Sequence, residues 1–71
     1  MDMKELINKM LEPYGDLITP EQAKEFLHVG KNYIYSKIKS GELSCLKFGN
    51  SIRIPKQVFV EFLSRHTVWG E

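Results

Sequence analysis

Apolar residues near the start of the chain recur with helical spacing. Met3, Leu6, Ile7, Met10 and Leu11 step by threes and fours, which predicts an amphipathic helix. Pro13, Tyr14 and Gly15 end it, because proline removes a donor and clashes with the preceding turn. Such a helix either folds back on the rest of the chain or pairs with a second copy. Thr19-Pro20-Glu21-Gln22 then places a cap hydroxyl, a proline at the first helical position and a glutamine three residues after the cap. This predicts a second helix with Ala23, Phe26 and Leu27 on its apolar face, broken by His28-Val29-Gly30. A third helix is predicted from about Lys31 to Ser40, with Ile34 and Ile38 inward, Tyr35 beside them and Gly41 at the C-terminal cap. Two short helices joined by a glycine-containing turn form a helix-turn-helix.

The period then changes to two. Leu46-Lys47-Phe48 and Ile52-Arg53-Ile54 alternate apolar and basic, with Gly49-Asn50-Ser51 read as the turn. That reading puts Leu46, Phe48, Ile52 and Ile54 on the core face, and Lys47 and Arg53 together on the other. Pro55 opens a last helix carrying Val58, Phe59, Phe62 and Leu63. The expected fold class is α+β and mostly helical.

With 71 residues and a charge of +1, the chain has room for one small domain and little for a deep enzyme pocket. Charge is unevenly spread. Residues 1–16 set Lys4 and Lys9 against Asp2, Glu5, Glu12 and Asp16, whereas residues 31–56 set Lys31, Lys37, Lys39, Lys47, Arg53 and Lys56 against Glu42 alone. A basic middle suits a polyanion, and equally a solvated surface. The single cysteine, Cys45, excludes an intrachain disulfide. It reads as a small core residue, far in sequence from His28 and His66, so neither a nucleophile with its base nor a metal-ligand spacing is present. No apolar run approaches the ~20 residues needed to span a bilayer, and Asp2, Lys4 and Glu5 interrupt any secretory leader. The expectation is a soluble, cytoplasmic, non-enzymatic domain without metal, cofactor or membrane partner.

Duplex DNA is the expected ligand. The second helix of a helix-turn-helix lies in the major groove with its first residues towards base edges. Here those residues are Lys31, Asn32 and Tyr33, and Asn32 has the amide geometry for a two-point contact to adenine. With Ile34 and Ile38 inward, the outward face is expected near Asn32, Tyr33, Ser36, Lys37 and Lys39. Tyr35 is expected to pack at the edge with a possible phosphate contact, and Tyr33 to stand free. On the hairpin, Lys47 and Arg53 are expected to meet phosphates or the minor groove, with Asn50 and Ser51 at a small tip. A competing reading makes the basic stripe a matter of solubility, with the first helix and Val60 or Trp69 mediating protein association.

The ordered run Leu17-Ile18-Thr19-Pro20-Glu21-Gln22-Ala23, Phe26-Leu27-His28-Val29, Ile34-Tyr35, Ile38, Ser40-Gly41-Glu42-Leu43, Phe48-Gly49 and Arg53-Ile54-Pro55 resembles the excisionase-type, MerR-like winged helix-turn-helix family. The resemblance spans about residues 17–64 and implies a winged domain over 17–65, preceded by an N-terminal helix and linker (1–16) and followed by a tail (66–71). It implies DNA binding through the second helix of the motif and the wing. It also implies DNA bending and assistance to a tyrosine recombinase during excision, or else a small transcription regulator using the same surface. Because one module this small covers only about 600–1,000 Å² of protein surface on DNA, cooperative self-association on DNA or help from the recombinase is expected. Four positions depart from the family pattern. Gly30 stands where a serine cap is usual, Ser36 and Lys37 where arginine and leucine are common, and Ser44 where proline is frequent.

Overall fold

The computed structural model describes residues 2–66. Asp2 caps helix α1 (Met3–Met10) by accepting from the Lys4 amide at 2.9 Å, and the chain leaves the helix through a 3₁₀ turn at Glu12–Tyr14. Two residues of strand, β1 (Leu17–Ile18), precede α2 (Pro20–Leu27). The expected capping box is present: the Gln22 amide donates to Thr19 Oγ1 at 3.1 Å, and the Thr19 amide to Gln22 Oε1 at 3.0 Å. At the other end His28 adopts the left-handed conformation (φ 56°), its amide donating to Glu25 O and that of Val29 to Lys24 O. This is a Schellman cap with histidine where glycine is usual. Helix α3 (Lys31–Ser40) ends at Gly41, φ 86°, after which the Leu43 amide turns back to Lys37 O at 3.1 Å. Strands β2 (Leu46–Phe48) and β3 (Ser51–Pro55) form the hairpin, and α4 (Lys56–Ser64) follows directly.

The architecture is a small winged-helix α+β fold of four helices and a three-stranded antiparallel sheet in the order β1-β3-β2. Strand β1 was not expected; two residues carry no periodic signal, and only pairing with β3 (Leu17↔Pro55, Ile18↔Ile54) makes them a strand. Ile7, Leu11, Ile18, Ala23, Ile34, Leu43, Ile54, Phe59, Val60 and Phe62 form one buried cluster. Rings connect its parts, Tyr14 to Phe26 at 5.9 Å and Phe26 to Phe59 at 6.1 Å, both edge-on. Helix α1 folds back on α4 through Ile7 and Leu11, and Lys4 reaches Glu61 at 2.7 Å. Because α4 is covered by α1 as well as by β3, Val60 is buried; it is not the association surface proposed for it above. Trp69, named with it, lies outside the described residues.

The hairpin departs from the expected register. Phe48 pairs with Ser51, Lys47 with Ile52 and Leu46 with Arg53. The turn therefore has two residues, Gly49 and Asn50, with positive φ at Gly49 only, the pattern of a type II′ turn. A turn one residue shorter moves β2 by one place against β3, and a one-residue slip exchanges faces. Lys47 shares a face with Ile52 and the buried Ile54, while Leu46 and Phe48 share the opposite face with Ser51 and Arg53. The expectation that Lys47 and Arg53 lie side by side, and that Leu46 and Phe48 enter the core, is thus corrected: Leu46 is 45% and Phe48 58% exposed.

The left-handed caps give a paired test. A β-carbon added at Gly41 meets nothing within 4 Å, so its cost is conformational. Gly41→Ala is expected to destabilise by about 1 kcal/mol, and His28→Gly to stabilise by up to about 1 kcal/mol. Urea unfolding of the two variants checks the opposite signs, and shifts in the same direction would contradict the backbone argument.

Candidate nucleic-acid interface

Ile34 is fully buried and fixes the roll of α3, with Ile38 packed beside it. At 3.6 residues per turn, Asn32, Ser36 and Lys39 then fall on the opposite side, with Tyr35 on the flank next to Ile38 and Lys31 in the first turn. All are exposed except Tyr35, which is half-buried. Lys31 Nζ stands 5.9 Å from the Tyr35 ring centre, one helical turn away. The helix thus presents a continuous strip of two ammonium groups, an amide, a hydroxyl and a phenol.

Tyr33 and Lys37 lie on a flank, not on this strip. Tyr33 packs against the core and Lys37 Nζ sits 5.4 Å over its ring, which corrects the expectation of a free Tyr33, whereas Tyr35 is half-buried as expected. Helical phase does not separate the two, since each lies about 100° from Ile34; tertiary packing covers Tyr33. Glu42 completes the flank: its Oε2 is 3.3 Å and its Oε1 3.5 Å from Lys37 Nζ. Ser40 Oγ stands 3.1 Å from both Glu42 Oε2 and Lys37 O, with one proton to donate to either. Arg65, from the end of α4, donates to Glu42 O at 3.1 Å. Hydrogen bonds from Lys37 and Ser40, with the Lys37 charge behind them, hold the Glu42 carboxyl below the usual glutamate range. Glu42 was not foreseen as part of the site, although it is the one acid in an otherwise basic stretch and lies five residues after Lys37.

Of the wing residues, Lys47, Asn50 and Ser51 are exposed. Arg53 is half-buried, and its Nη1 donates to Ile52 O at 3.0 Å. The ribbon therefore carries one cation on each face, with the Gly49-Asn50 tip between them. Cys45, at the entry to β2, is half-buried against the core. A cleft of about 630 Å³ between α1, the 3₁₀ turn and the start of α4 is lined by Glu5, Asn8, Lys9, Glu12, Asp16, Lys56 and Gln57. None of these is a predicted site residue, and their charges are mixed. Among the described residues, no helix is long and apolar enough to cross a membrane.

Residues 17–67, well over half of the chain, match the family profile of a helix-turn-helix domain. The chain belongs to that family. At that level it is a DNA-binding helix-turn-helix protein, with α2 and α3 as the two helices and DNA as the partner. No curated protein and no solved structure matches the chain.

Because the folded pKa of Glu42 is lowered, its stabilising contribution is complete above the ordinary glutamate range and is lost as pH falls through the folded value. Glu42→Gln is expected to flatten that arm of the acid unfolding curve. Superimposable pH profiles for the two proteins would show that the bridge adds nothing to stability.

Proposed function

We propose that the protein is a sequence-specific, double-stranded-DNA-binding factor of the excisionase type, built on a MerR-like winged helix-turn-helix and acting without catalysis of its own. The outward strip of α3, followed along the chain by a cationic two-stranded ribbon, carries this reading. In it, α3 enters the major groove with its first turn leading. Asn32 pairs with an adenine edge and Ser36 reads a neighbouring base or phosphate. Gly30 supplies no side-chain acceptor, and with the Tyr33 amide donating to Gly30 O the amides of Lys31 and Asn32, with the Lys31 ammonium, are the ones to meet a phosphate. Lys39 and Tyr35 hold the strand along the helix. Lys47, Asn50, Ser51 and Arg53 follow the backbone into the adjacent minor groove.

A module this small covers about 600–1,000 Å² of protein surface on DNA. Affinity sufficient for a genome therefore comes from neighbours, either further copies on repeated sites or a tyrosine recombinase bound beside them. The role follows from that geometry: the factor stabilises a bent duplex and leaves strand exchange to the recombinase.

Selection from a random duplex pool, followed by binding titrations across a salt series, tests the reading. Asn32→Ala is expected to relax base preference at one position by about 1–3 kcal/mol. Lys39→Ala and Lys47→Ala are expected to weaken all sequences alike and to reduce the salt slope by about 0.9 each. Lys37→Ala, whose ammonium already faces Glu42, is expected to change the slope far less. A protein indifferent to duplex DNA would end this reading. Excision of a plasmid cassette that rises with the protein and its recombinase supports the excisionase role, and unchanged excision would favour a transcription regulator.

A further inference from the structure

We propose that Phe48 is an apolar wedge, pressed by the wing into the DNA minor groove against a base step, so that bending and wing-site preference depend on it. The inference rests on the DNA-binding reading above and adds a contact type that polar and cationic residues do not supply. Phe48 is the most exposed large apolar side chain among the described residues, at 58%. It closes β2 directly before the Gly49-Asn50 turn, so it stands at the last paired position of the ribbon, opposite the small Ser51. Leu46, two residues back on the same face, is 45% exposed and lies opposite Arg53.

That face thus carries two unpartnered apolar side chains beside a guanidinium, and the other face carries Lys47. The charge around the apolar pair identifies the occupant: cations on both sides of a narrow, two-residue tip match a groove walled by phosphates. A second copy of this chain would bring like charge to like charge. Two side chains also fall far short of the roughly 800 Å² per partner that a stable protein interface buries. Proteins that enter the minor groove commonly insert phenylalanine or leucine between base steps, unstacking them and kinking the duplex by about 20–90°. Flexible pyrimidine–purine steps are the easiest to open, so the wing should prefer one without hydrogen-bonding to it.

The test uses a duplex selected from the random pool, carrying 2-aminopurine at the step under the wing and a donor–acceptor dye pair at its ends. Wild-type protein is expected to brighten the 2-aminopurine and shorten the end-to-end distance. Phe48→Ala is expected to bind about tenfold or more weakly, with an unchanged salt slope, little brightening and a smaller bend. Phe48→Leu should restore much of both signals, while Lys47→Ala should lower the salt slope and keep the brightening. Both Phe48 variants should unfold like the wild type, since the ring is not part of the core. If wild-type protein binds and bends the duplex and Phe48→Ala does the same, the wedge is wrong and the DNA-binding reading stands. If wild-type protein binds no duplex, both are wrong; sedimentation showing an association lost in Phe48→Ala would then give this face to a second copy.

Discussion

Strand β3 is the constraint on which the other elements depend. Ile54 is fully buried and pairs with Ile18, so the strand's inner face is anchored in the core. On one side β3 holds the two residues of β1, immediately before the cap of α2. On the other it holds β2, which follows the end of α3, and at its end it runs straight into α4. Fixing one residue therefore orients both ends of the helix-turn-helix and the last helix. Reversing the inner and outer faces of β3 would place Arg53 in the core, where an unpaired guanidinium is costly. The same anchor sets what the wing displays, because the face opposite Ile54 has no choice but to carry Arg53 and, through pairing, Leu46 and Phe48.

A second ordering operates on α3. Two tyrosines each sit one turn before or after a lysine, yet the pairs serve different surfaces. Lys31 and Tyr35 belong to the outward strip, whereas Tyr33 and Lys37 close a flank against Glu42. Satisfying Lys37 within the protein costs the interface one cation but stiffens the joint between helix and wing. An exposed ion pair alone contributes little. Here, however, the carboxylate also lies beside Ser40, and its own carbonyl takes a hydrogen bond from Arg65, so one short segment ties α3, the wing entry and α4 together. Relative placement of two reading elements is what a small module needs, since neither covers enough DNA by itself.

Much of this was legible in the residues because local chemistry and tertiary packing agree. The Thr19–Gln22 capping box, the Gly41 cap and the inward Ile34 each follow from sequence spacing, and those three features locate the helix-turn-helix and its exposed strip. What was not legible turns on single-residue offsets. Gly49-Asn50-Ser51 reads equally as a two- or a three-residue turn, and only the pairing of Phe48 with Ser51 decides it. Helical phase is equally undecided at Tyr33 and Tyr35, which adjoin Ile34 on opposite sides. Tertiary packing covers Tyr33, and no local pattern encodes that. Val60 falls outside the apolar face of α4 until α1 is laid across it.

The exposed apolar residues divide along these lines. On α1, Met3, Leu6 and Met10 are the outer part of a stripe whose inner part, Ile7 and Leu11, is already used against the core. An amphipathic helix with a wide stripe leaves such a margin whenever its neighbour is a single helix. The wing has no such explanation. Leu46 and Phe48 are not the margin of a buried face, because the sheet's buried side is the other one. Residues of high β propensity alone would account for them in a strand interior, but Phe48 stands at the last pair before the turn, where pairing gives it only Ser51 to pack against. An aromatic ring held there, on a ribbon with a cation on either face, is preorganised for a surface whose stacked base faces are apolar and whose walls are anionic.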